Sequence, residues 1–280
     1  MTRLARHPLL PLGSLLLAFT VLLVASAVPD PERHGRLVAA LQTLVLEDAA
    51  LQRDLLRART GLLDSYDPIV GSLNRLLDAA ASIRDGAGAA EPAELDRQAG
   101  LLAAAVRERE SLVEDFKSLN ALFQNSFAYF LRAGHEIGRL AAGERHEGGL
   151  AAAALSTAMF RFIDDPAPRQ ASEVWAALGR LDAVAAPPAL RREVQAMVTH
   201  GRLIAELVPR VDAILGRLLD SSVSKRVDAF RAWYFERHGR AVARAQGFRI
   251  LLYLSALLVL AYLGVVFARL RERTRALRGN

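Results

Sequence analysis

The sequence predicts an all-α protein of long-helix bundles, two of them stacked, flanked by two transmembrane helices. Three observations predict this fold class. In a chain of 280 residues, hydrophobic residues make up 52% and aromatic residues only 6%, with Ala and Leu dominant, which favours helices. Apolar residues recur over long stretches at spacings of three and four, and no stretch alternates as a strand would. One apolar run near each end contains no charged residue.

The second uncharged run covers residues 250–268 and reads ILLYLSALLVLAYLGVVFA. A helix of this length extends about 28 Å, which matches the hydrocarbon thickness of a bilayer, so the run predicts a transmembrane helix. Residues 269–280 then hold five arginines and one glutamate. Because arginine-rich flanks stay in the cytoplasm, we expect a short basic cytoplasmic tail here and the main domain on the opposite side.

The first uncharged run covers residues 9–28 and follows a short basic segment, residues 1–8, that we expect in the cytoplasm. Two interpretations of this run compete. It is either a transmembrane signal anchor or a cleaved signal peptide, because Ala25-Ser26-Ala27 has the small-x-small form of a cleavage site. The length of the run favours the uncleaved anchor. Both interpretations export residues 29–247 as the main domain.

The charge distribution argues against nucleic-acid binding, although the isoelectric point is about 10.2. The formal charge is +6, and the two ends contribute all of it: residues 1–8 carry +2 and residues 269–280 carry +4, which leaves zero for residues 9–268. Basicity confined to the ends indicates membrane orientation, so no nucleic-acid partner is predicted.

No residue pattern predicts an enzyme, a cofactor or a metal site. The chain lacks cysteine, which excludes disulfides and thiol chemistry. Its six histidines form no HExxH motif or other metal-ligand spacing, and it has neither a nucleophile elbow nor a glycine-rich phosphate loop. We therefore predict a non-catalytic protein that needs no cofactor.

Residues 34–85 are predicted to form one long helix. Mostly apolar residues recur in it at alternating spacings of three and four, the pattern of a helical bundle or coiled coil. Pro68 is the one breaker and is expected to kink the helix or divide it. The members of this seam are Leu37, Leu41, Leu44, Asp48, Leu51, Leu55, Ala58, Leu62, Ser65, Ile69, Ser72 and Leu76.

Further helical segments follow, separated by glycine- and proline-rich turns. The last of them is predicted to start at a Ser221 cap and to run without a break into the transmembrane segment. Pro209 is expected to kink the helix that contains it. The predicted turn covers residues 85–92, and the predicted helices cover residues 93–142, 150–163, 172–184, 189–219 and 221–268.

A first polar motif, LQRDLLRARTGLLDSYDPIV, covers residues 51–70. At 100° per residue, Asp48, Arg59 and Tyr66 lie on one flank of the leucine seam and Asp54 lies on the other. One interpretation is a ligand pocket between helices, in which Arg59 binds an anion and Tyr66 and Asp67 shape the walls. The other is ordinary ion pairing of neighbouring side chains on a solvated face. The charges concerned are Arg53, Asp54 and Arg57.

A second motif, FKSLNALFQNSFAYF, covers residues 116–130 and places four phenylalanines within a narrow stripe of one helix. Asn120 lies inside this stripe, Lys117 and Gln124 flank it, and Asn125 faces the opposite way. An asparagine among aromatic residues needs hydrogen-bond partners. It either binds a ligand or pairs with another buried polar group and so fixes helix register.

The two motifs together resemble those of the double all-helical ligand-binding domain, or DAHL domain. The similarity covers most of residues 35–270. Towards the second membrane span it rests on Val211-Asp212, Tyr234 and the segment 248–254. In the two motifs it rests on Arg53-Asp54, Arg59, Gly61-Leu62-Leu63 and Tyr66-Asp67-Pro68, and on Phe116-Lys117-Ser118, Asn120-Ala121, Asn125-Ser126 and Tyr129-Phe130.

The resemblance implies an extracytoplasmic, ligand-sensing domain of a bacterial two-component-type receptor, bracketed by two membrane helices. Its ligand is expected to be a small molecule of unknown identity. A ligand bound between helices would favour one packing and shift the final helix across the membrane. The ligand-binding candidates are Arg53, Asp54, Arg59, Tyr66, Asp67, Lys117, Asn120, Asn125 and Tyr129.

The resemblance also implies a location and partners: the bacterial inner membrane, a second copy of the chain in a homodimer, and a histidine kinase. No kinase sequence follows Arg278, so a stand-alone sensor, a fragment of a longer kinase and a gene split from its kinase all remain open. The competing function is an envelope structural or protein-interaction membrane protein without a small-molecule ligand, and a membrane enzyme comes third.

Overall fold

All regular structure in the described residues is α-helical, which confirms the all-α part of the predicted fold class. The computed structural model describes residues 9–26, 30–86, 93–141, 147–220 and 222–278. Ala40–Asp228 forms one compact unit, called here the core unit, and Met1–Ala39 with Ala229–Asn280 forms a second, called the terminal unit. The helices are α1 (Leu9–Ala25), α2 (Pro31–Arg59), α3 (Asp67–Gly86), α4 (Ala93–Ala141), α5 (Glu147–Asp164), α6 (Pro168–Asp182), α7 (Pro188–Leu219) and α8 (Ser222–Arg278).

The predicted single helix over residues 34–85 is in fact two helices. α2 ends at Arg59 and α3 begins at Asp67, so the division that was expected at Pro68 begins earlier in the chain. Gly61 has a φ of 73°, a left-handed conformation that glycine adopts without strain and that commonly ends a helix. Pro68 lies in the first turn of α3, where its missing N–H removes no helical hydrogen bond.

The seam of α2 and α3 faces the core as its spacing predicted, with two exceptions. The prediction that Leu62 and Ser65 belong to the buried seam is wrong, because both lie in the loop between the helices and are exposed. Outside a helix, a spacing of three and four no longer places side chains on one face. The fully buried apolar members are Leu44, Leu51, Leu55, Ile69 and Leu76.

α4 and α7, the two longest helices that lie wholly within the core unit, run antiparallel. Glu108 near the start of α4 lies 3.7 Å from Arg217 near the end of α7. Later in α4, Phe130 packs against Gly201 in the first half of α7. A Cβ on Gly201 would lie 2.8 Å from Leu178 of α6 and 3.4 Å from Phe130. The missing side chain therefore allows α4, α6 and α7 to approach closely.

Two groups of helices pack on the α4–α7 pair. Asp48 of α2 contacts Arg109 of α4 at 2.8 Å. Ala58, later in α2, contacts Asn120, later in α4, so these helices run parallel. α3 also packs on α4, whereas α5 and α6 pack on α7 and on each other, and α5 reaches α4. These contacts bring the ends of α2 and α5 towards the middle of α4.

The other predicted boundaries differ from the observed ones by a few residues. α6 and α7 begin at Pro168 and Pro188, earlier than predicted, because proline suits the first turn of a helix. α7 continues through Pro209, which is exposed. The predicted cap at Ser221 and most of the predicted turn at 85–92 lie outside the described residues.

α8 confirms the prediction of an unbroken helix into the second apolar run. It contains 57 residues, or about 85 Å of helix, and includes residues 250–268. In the part of the chain that the structure describes, this run is the one candidate whose length and composition allow a membrane crossing, and none of it is buried. α1 has 17 residues and does not qualify, so the transmembrane helix predicted at residues 9–28 is not confirmed.

In the terminal unit, α2 and α8 meet through a cluster of aromatic rings. His34 Nδ1 lies 3.0 Å from the Tyr234 hydroxyl. The His34 ring also stacks on the His238 ring, with 3.9 Å between centroids, and meets Phe235 edge-on. Burial, and then the neighbouring His34, lower the pKa of His238 below its usual value.

Candidate functional site

A cleft between helices of the core unit is the strongest candidate for a binding site, and we call it the interhelical cleft. Its volume is about 450 Å³, within the range of small-molecule pockets. The end of α2, the middle of α4, the end of α5 and part of α7 form its walls. The lining residues are Arg59, Thr60, Phe123, Gln124, Phe127, Phe160, Ile163, Asp164 and Asp212.

A larger space of about 560 Å³ lies along α8 in the terminal unit. Arg237, Arg240, Ala243 and Arg244 line it, and all four belong to that single helix. A ligand there would be held from one side only, whereas four helices surround the interhelical cleft. The interhelical cleft is therefore the better candidate, although its volume is smaller.

An ion pair between α2 and α7 forms one wall of the interhelical cleft. Arg59 Nε donates to Asp212 Oδ1 at 2.6 Å, and Arg59 Nη2 donates to Asp212 Oδ2 at 3.2 Å. The two side chains are 12% and 31% exposed. The Arg59 guanidinium also lies 4.9 Å from the centroid of the Phe123 ring, a cation–π contact. The pair is thus firmly positioned and remains accessible from the cleft.

Local structure at the end of α2 places Arg59 in this wall. Arg59 is the last residue of the helix, and the Leu62 N–H closes the helix end by donating to the Arg57 carbonyl at 2.8 Å. Gln124 of α4 donates its side-chain amide to the Arg59 carbonyl at 3.2 Å. This bond satisfies a carbonyl that lacks a partner within the helix. α4 therefore holds the end of α2 in place.

Phenylalanine rings form an apolar wall of the cleft. Phe127 stacks on Phe123 with 6.0 Å between centroids and meets Phe160 of α5 edge-on at 5.9 Å. The Phe160 side chain is 52% exposed and offers apolar area to a ligand. Asp164 at the end of α5 is exposed and adds a second carboxylate to the lining.

Asn120 and Tyr66 form a hydrogen-bonded tie that does not line the cleft. The Asn120 side chain is buried, and its Nδ2 donates to the Ala58 carbonyl at 3.1 Å and to the Tyr66 hydroxyl at 3.0 Å. The Nδ2 atom is assigned to this side of the amide because the Ala58 carbonyl can only accept a hydrogen bond. The contacts match the interpretation in which Asn120 fixes helix register.

The other candidates of the first motif also lie outside the cleft lining. Asp54 is buried and accepts hydrogen bonds from Arg53 at 3.0 Å and Arg57 at 3.4 Å. The bond from Arg53 is the main reason that the pKa of Asp54 is lowered. The partners are those of the alternative interpretation, but Asp54 itself is buried and does not lie on a solvated face. Asp67 begins α3, where its carboxylate accepts from Ser65 Oγ at 3.1 Å and is favoured by the helix dipole.

The remaining candidates of the second motif are surface residues of α4. Lys117 pairs with Glu114 one turn earlier at 2.9 Å. Asn125 is exposed, and the exposed Tyr129 stacks on His200 of α7 at 5.0 Å between centroids. Of the candidates from both motifs, the structure brings Arg59 into the cleft.

Sequence reasoning missed most of the cleft lining. In the sequence, only the family resemblance draws attention to Asp212, and Gln124 is noted only as a residue that flanks the aromatic stripe. Phe160 lies on the exposed side of α5, so no apolar stripe identifies it. The cleft brings together four helices, and periodicity describes each helix alone.

A second arginine–aspartate pair is buried between α2 and α4. Arg109 Nη2 lies 2.8 Å from Asp48 Oδ1, an ion pair whose geometry falls short of a hydrogen bond, and each side chain is 2% exposed. Asp48 Oδ2 accepts from Gln52 at 3.0 Å and from Ser224 of α8 at 3.1 Å. Burial lowers the pKa of Arg109, and the Asp48 charge opposes this effect.

A sequence signal for this buried pair exists. Asp48 is a member of the α2 seam, and Arg109 fills the spacing of three and four between Val106 and Val113 on α4. A charged residue on each of two apolar stripes indicates that the two charges meet.

The fold and the cleft define a class of protein: an all-helical domain with an accessible, charged recess between its helices. A family model, the DAHL domain, matches residues 29–249. The chain therefore belongs to the DAHL domain family, a family of ligand-binding sensor domains, and this confirms the resemblance noted in its motifs. No solved structure is a significant match.

Proposed function

We propose that this protein is a membrane-anchored sensor of the bacterial inner membrane whose core unit binds a small molecule on the extracytoplasmic side. The observation that carries the proposal is the interhelical cleft, which places an accessible ion pair and phenyl rings around about 450 Å³. Such a recess is typical of small-molecule sites. Membership of a family of ligand-binding sensor domains supports the same function.

Two features support the placement relative to the membrane. No part of the apolar run of α8 is buried, which suits a helix that faces lipid. The segment after it, residues 269–280, carries a charge of +4. Arginine-rich flanks stay in the cytoplasm, so the core unit lies on the other side.

A short connection supports signal transfer from the cleft to α8. Asp212 of α7 lines the cleft, α7 ends at Leu219 and α8 begins at Ser222. Such a short connection passes a displacement of the α7 end to the first turn of α8. Ser224 in that turn donates to Asp48, which defines a resting position. A ligand that favours another position of Asp212 shifts this equilibrium, and we expect a histidine kinase to receive the change.

Membrane orientation is tested with single cysteines, since the chain contains none of its own. Ser82→Cys in α3 and Thr274→Cys in α8 introduce thiols at exposed positions. In spheroplasts, a membrane-impermeant maleimide is expected to label position 82 at once and position 274 only after lysis. The reverse order, or equal labelling, would contradict the proposed orientation.

Ligand binding is tested by thermal unfolding of the full chain in detergent micelles against a library of metabolites and ions. A ligand at 100 times its Kd stabilises a protein by about 2.7 kcal/mol, which raises Tm by about 5–10 °C here. Arg59→Met is expected to abolish the shift, and the exposed Arg84→Met of α3 serves as the matched control. No hit, or hits insensitive to Arg59→Met, would contradict this function and favour the protein-interaction alternative.

Transmission through α8 is tested with Arg244→Pro, which interrupts the helix before the apolar run. The ligand is expected to change the maleimide labelling rate of Thr274→Cys in lysed membranes when α8 is intact. In Arg244→Pro the change in rate should disappear while the ligand-induced rise in Tm remains. An unaltered labelling response in this variant would contradict transmission through the helix.

A further inference from the structure

The lining of the interhelical cleft carries charges of both signs, which restricts the chemistry of its ligand. Arg59 supplies the positive charge, and Asp212 and Asp164 supply two negative charges. The described lining therefore carries one net negative charge. A ligand with a positively charged group gains from this balance, whereas a wholly anionic ligand is repelled.

A simple anion meets a further obstacle at Arg59. Its Nε and Nη2 groups already donate to the two oxygens of Asp212, at 2.6 Å and 3.2 Å. An anion that took both donors would displace Asp212 from its two charge-assisted hydrogen bonds and would lie beside a second negative charge. The cleft is therefore poorly suited to an isolated anion.

A ligand that carries both charges avoids this obstacle. The guanidinium has five N–H donors, so Arg59 can donate to a ligand carboxylate through those that Asp212 does not use. Asp212 can at the same time accept from a ligand ammonium group. Each member of the pair then keeps an opposite charge beside it, through charge-assisted hydrogen bonds.

The apolar wall indicates the rest of the ligand. Phe160 is 52% exposed, Phe127 meets it edge-on at 5.9 Å, and Ile163 also lines the cleft. None of these side chains has a polar atom. A ligand group that covers them gains by removing apolar surface from water, so this group is itself apolar.

We propose that the interhelical cleft binds an α-amino acid with an aromatic or branched apolar side chain. The carboxylate contacts Arg59, the ammonium group contacts Asp212, and the side chain packs on Phe160 and Phe127. The volume of about 450 Å³ accommodates a single molecule of this size. This inference rests on the proposed function, because it assigns a ligand class to the same cleft.

The test is isothermal titration calorimetry of the full chain in detergent micelles with four probes that differ by one group. L-Phenylalanine carries both charges and the ring, phenethylamine lacks the carboxylate, 3-phenylpropionate lacks the ammonium group, and glycine lacks the ring. L-Phenylalanine is expected to bind most tightly. Each of the others is expected to bind at least about tenfold more weakly, because each loses one charge-assisted contact or the apolar contact.

Two variants assign the contacts. Asp212→Asn keeps the shape of the side chain and removes its charge, so it should lower the affinity for L-phenylalanine and phenethylamine at least about tenfold and should not lower the affinity for 3-phenylpropionate. Phe160→Ala should lower the affinity for L-phenylalanine and leave the affinity for glycine unchanged. Asp78→Asn, at an exposed position of α3, is the matched control and should change no affinity.

Three results would overturn the ligand class. Phenethylamine binding as tightly as L-phenylalanine would assign the cleft to organic cations, and equally tight 3-phenylpropionate would assign it to organic anions. If L-phenylalanine does not bind, L-leucine is titrated as a fifth probe, and failure of both to bind would exclude the proposed amino acids. The proposed function is judged separately by the library screen with Arg59→Met, because a hit there identifies a sensor for another ligand class.

Discussion

Two of the arginine–aspartate pairs in the core unit differ in accessibility. Both join helices that are far apart in the sequence. Arg109 and Asp48 are each 2% exposed, whereas Arg59 and Asp212 are 12% and 31% exposed. The first pair is enclosed by packed helices, and the second forms a wall of the interhelical cleft.

The difference separates a structural use of these side chains from a recognition use. A fully buried pair has lost the hydration of both charges, so each charge depends on the other. Gln52 and Ser224 also donate to Asp48, so groups of the protein complete its surroundings. The pair at the cleft keeps part of its hydration, and a ligand can replace that water.

The largest effect is expected from breaking the buried pair. Arg109→Met leaves Asp48 charged and buried without its cation, which is expected to lower the free energy of unfolding by about 3–5 kcal/mol. Urea unfolding of the full chain in detergent micelles, followed by circular dichroism, measures this loss. Adding Asp48→Asn to Arg109→Met should recover part of it, because no unpaired charge remains. A loss below about 1 kcal/mol for Arg109→Met would contradict the desolvated pair.

The next effect concerns the tie between Asn120 and Tyr66. Asn120→Ala removes two hydrogen bonds and is expected to cost about 2 kcal/mol, whereas Tyr66→Phe removes one and should cost about 1 kcal/mol. The same urea titration measures both. Because Tyr66 does not line the cleft, Tyr66→Phe should leave ligand affinity unchanged. Lower ligand affinity at unchanged stability would instead place Tyr66 in the binding site.

Breaking the accessible pair is expected to cost less stability than breaking the buried pair but to abolish ligand binding. Arg59→Met is the same substitution as in the buried pair, but its partner Asp212 is 31% exposed and can be solvated. We expect a loss of about 1 kcal/mol, from the ion pair and the contact with Phe123. Ligand-induced stabilisation should disappear in the same variant. Equal losses for Arg59→Met and Arg109→Met would remove the distinction between the two pairs.

The smallest effect is expected from pH, in the terminal unit. Burial and His34 lower the pKa of His238 below 6.5, so below that pH the unfolded chain binds more protons than the folded chain. The stability of the contact between α2 and α8 is therefore full above about pH 6.5 and declines as the pH falls. Thermal unfolding between about pH 8 and pH 5 measures this decline. His238→Phe should flatten it, and an unchanged slope would contradict a role of His238.

Helix content and the core seams could be predicted because each depends on one helix at a time. The spacing of Leu44, Leu51 and Leu55 defines a buried face without knowledge of the neighbouring helices. The end of α2 at Arg59 was misplaced, because the proline at position 68 is a stronger local signal than Gly61. Pro68 lies in the first turn of the following helix, whereas Gly61 lies just after the end of the preceding one.

The cleft could not be predicted in the same way, because its walls come together only in the folded core unit. Arg59 was a candidate because it is a charge beside an apolar seam. Its partner Asp212 lies 153 residues later in the chain, and no spacing rule connects them. Asp48 and Arg109 lie on the seams themselves, so in their case the pattern of each helix already indicates a buried contact.

The continuity of α8 restricts how the length of the chain can vary. Each residue inserted into a helix turns everything after it by about 100° and advances it by about 1.5 Å. One extra residue between His238 and Ile250 would therefore present a different side of the apolar run relative to the ring contact with His34. An insertion of seven would restore the original side to within about 20°. Insertions and deletions in this segment are therefore expected in steps of about seven residues, whereas a loop such as 60–66 has no such periodic constraint.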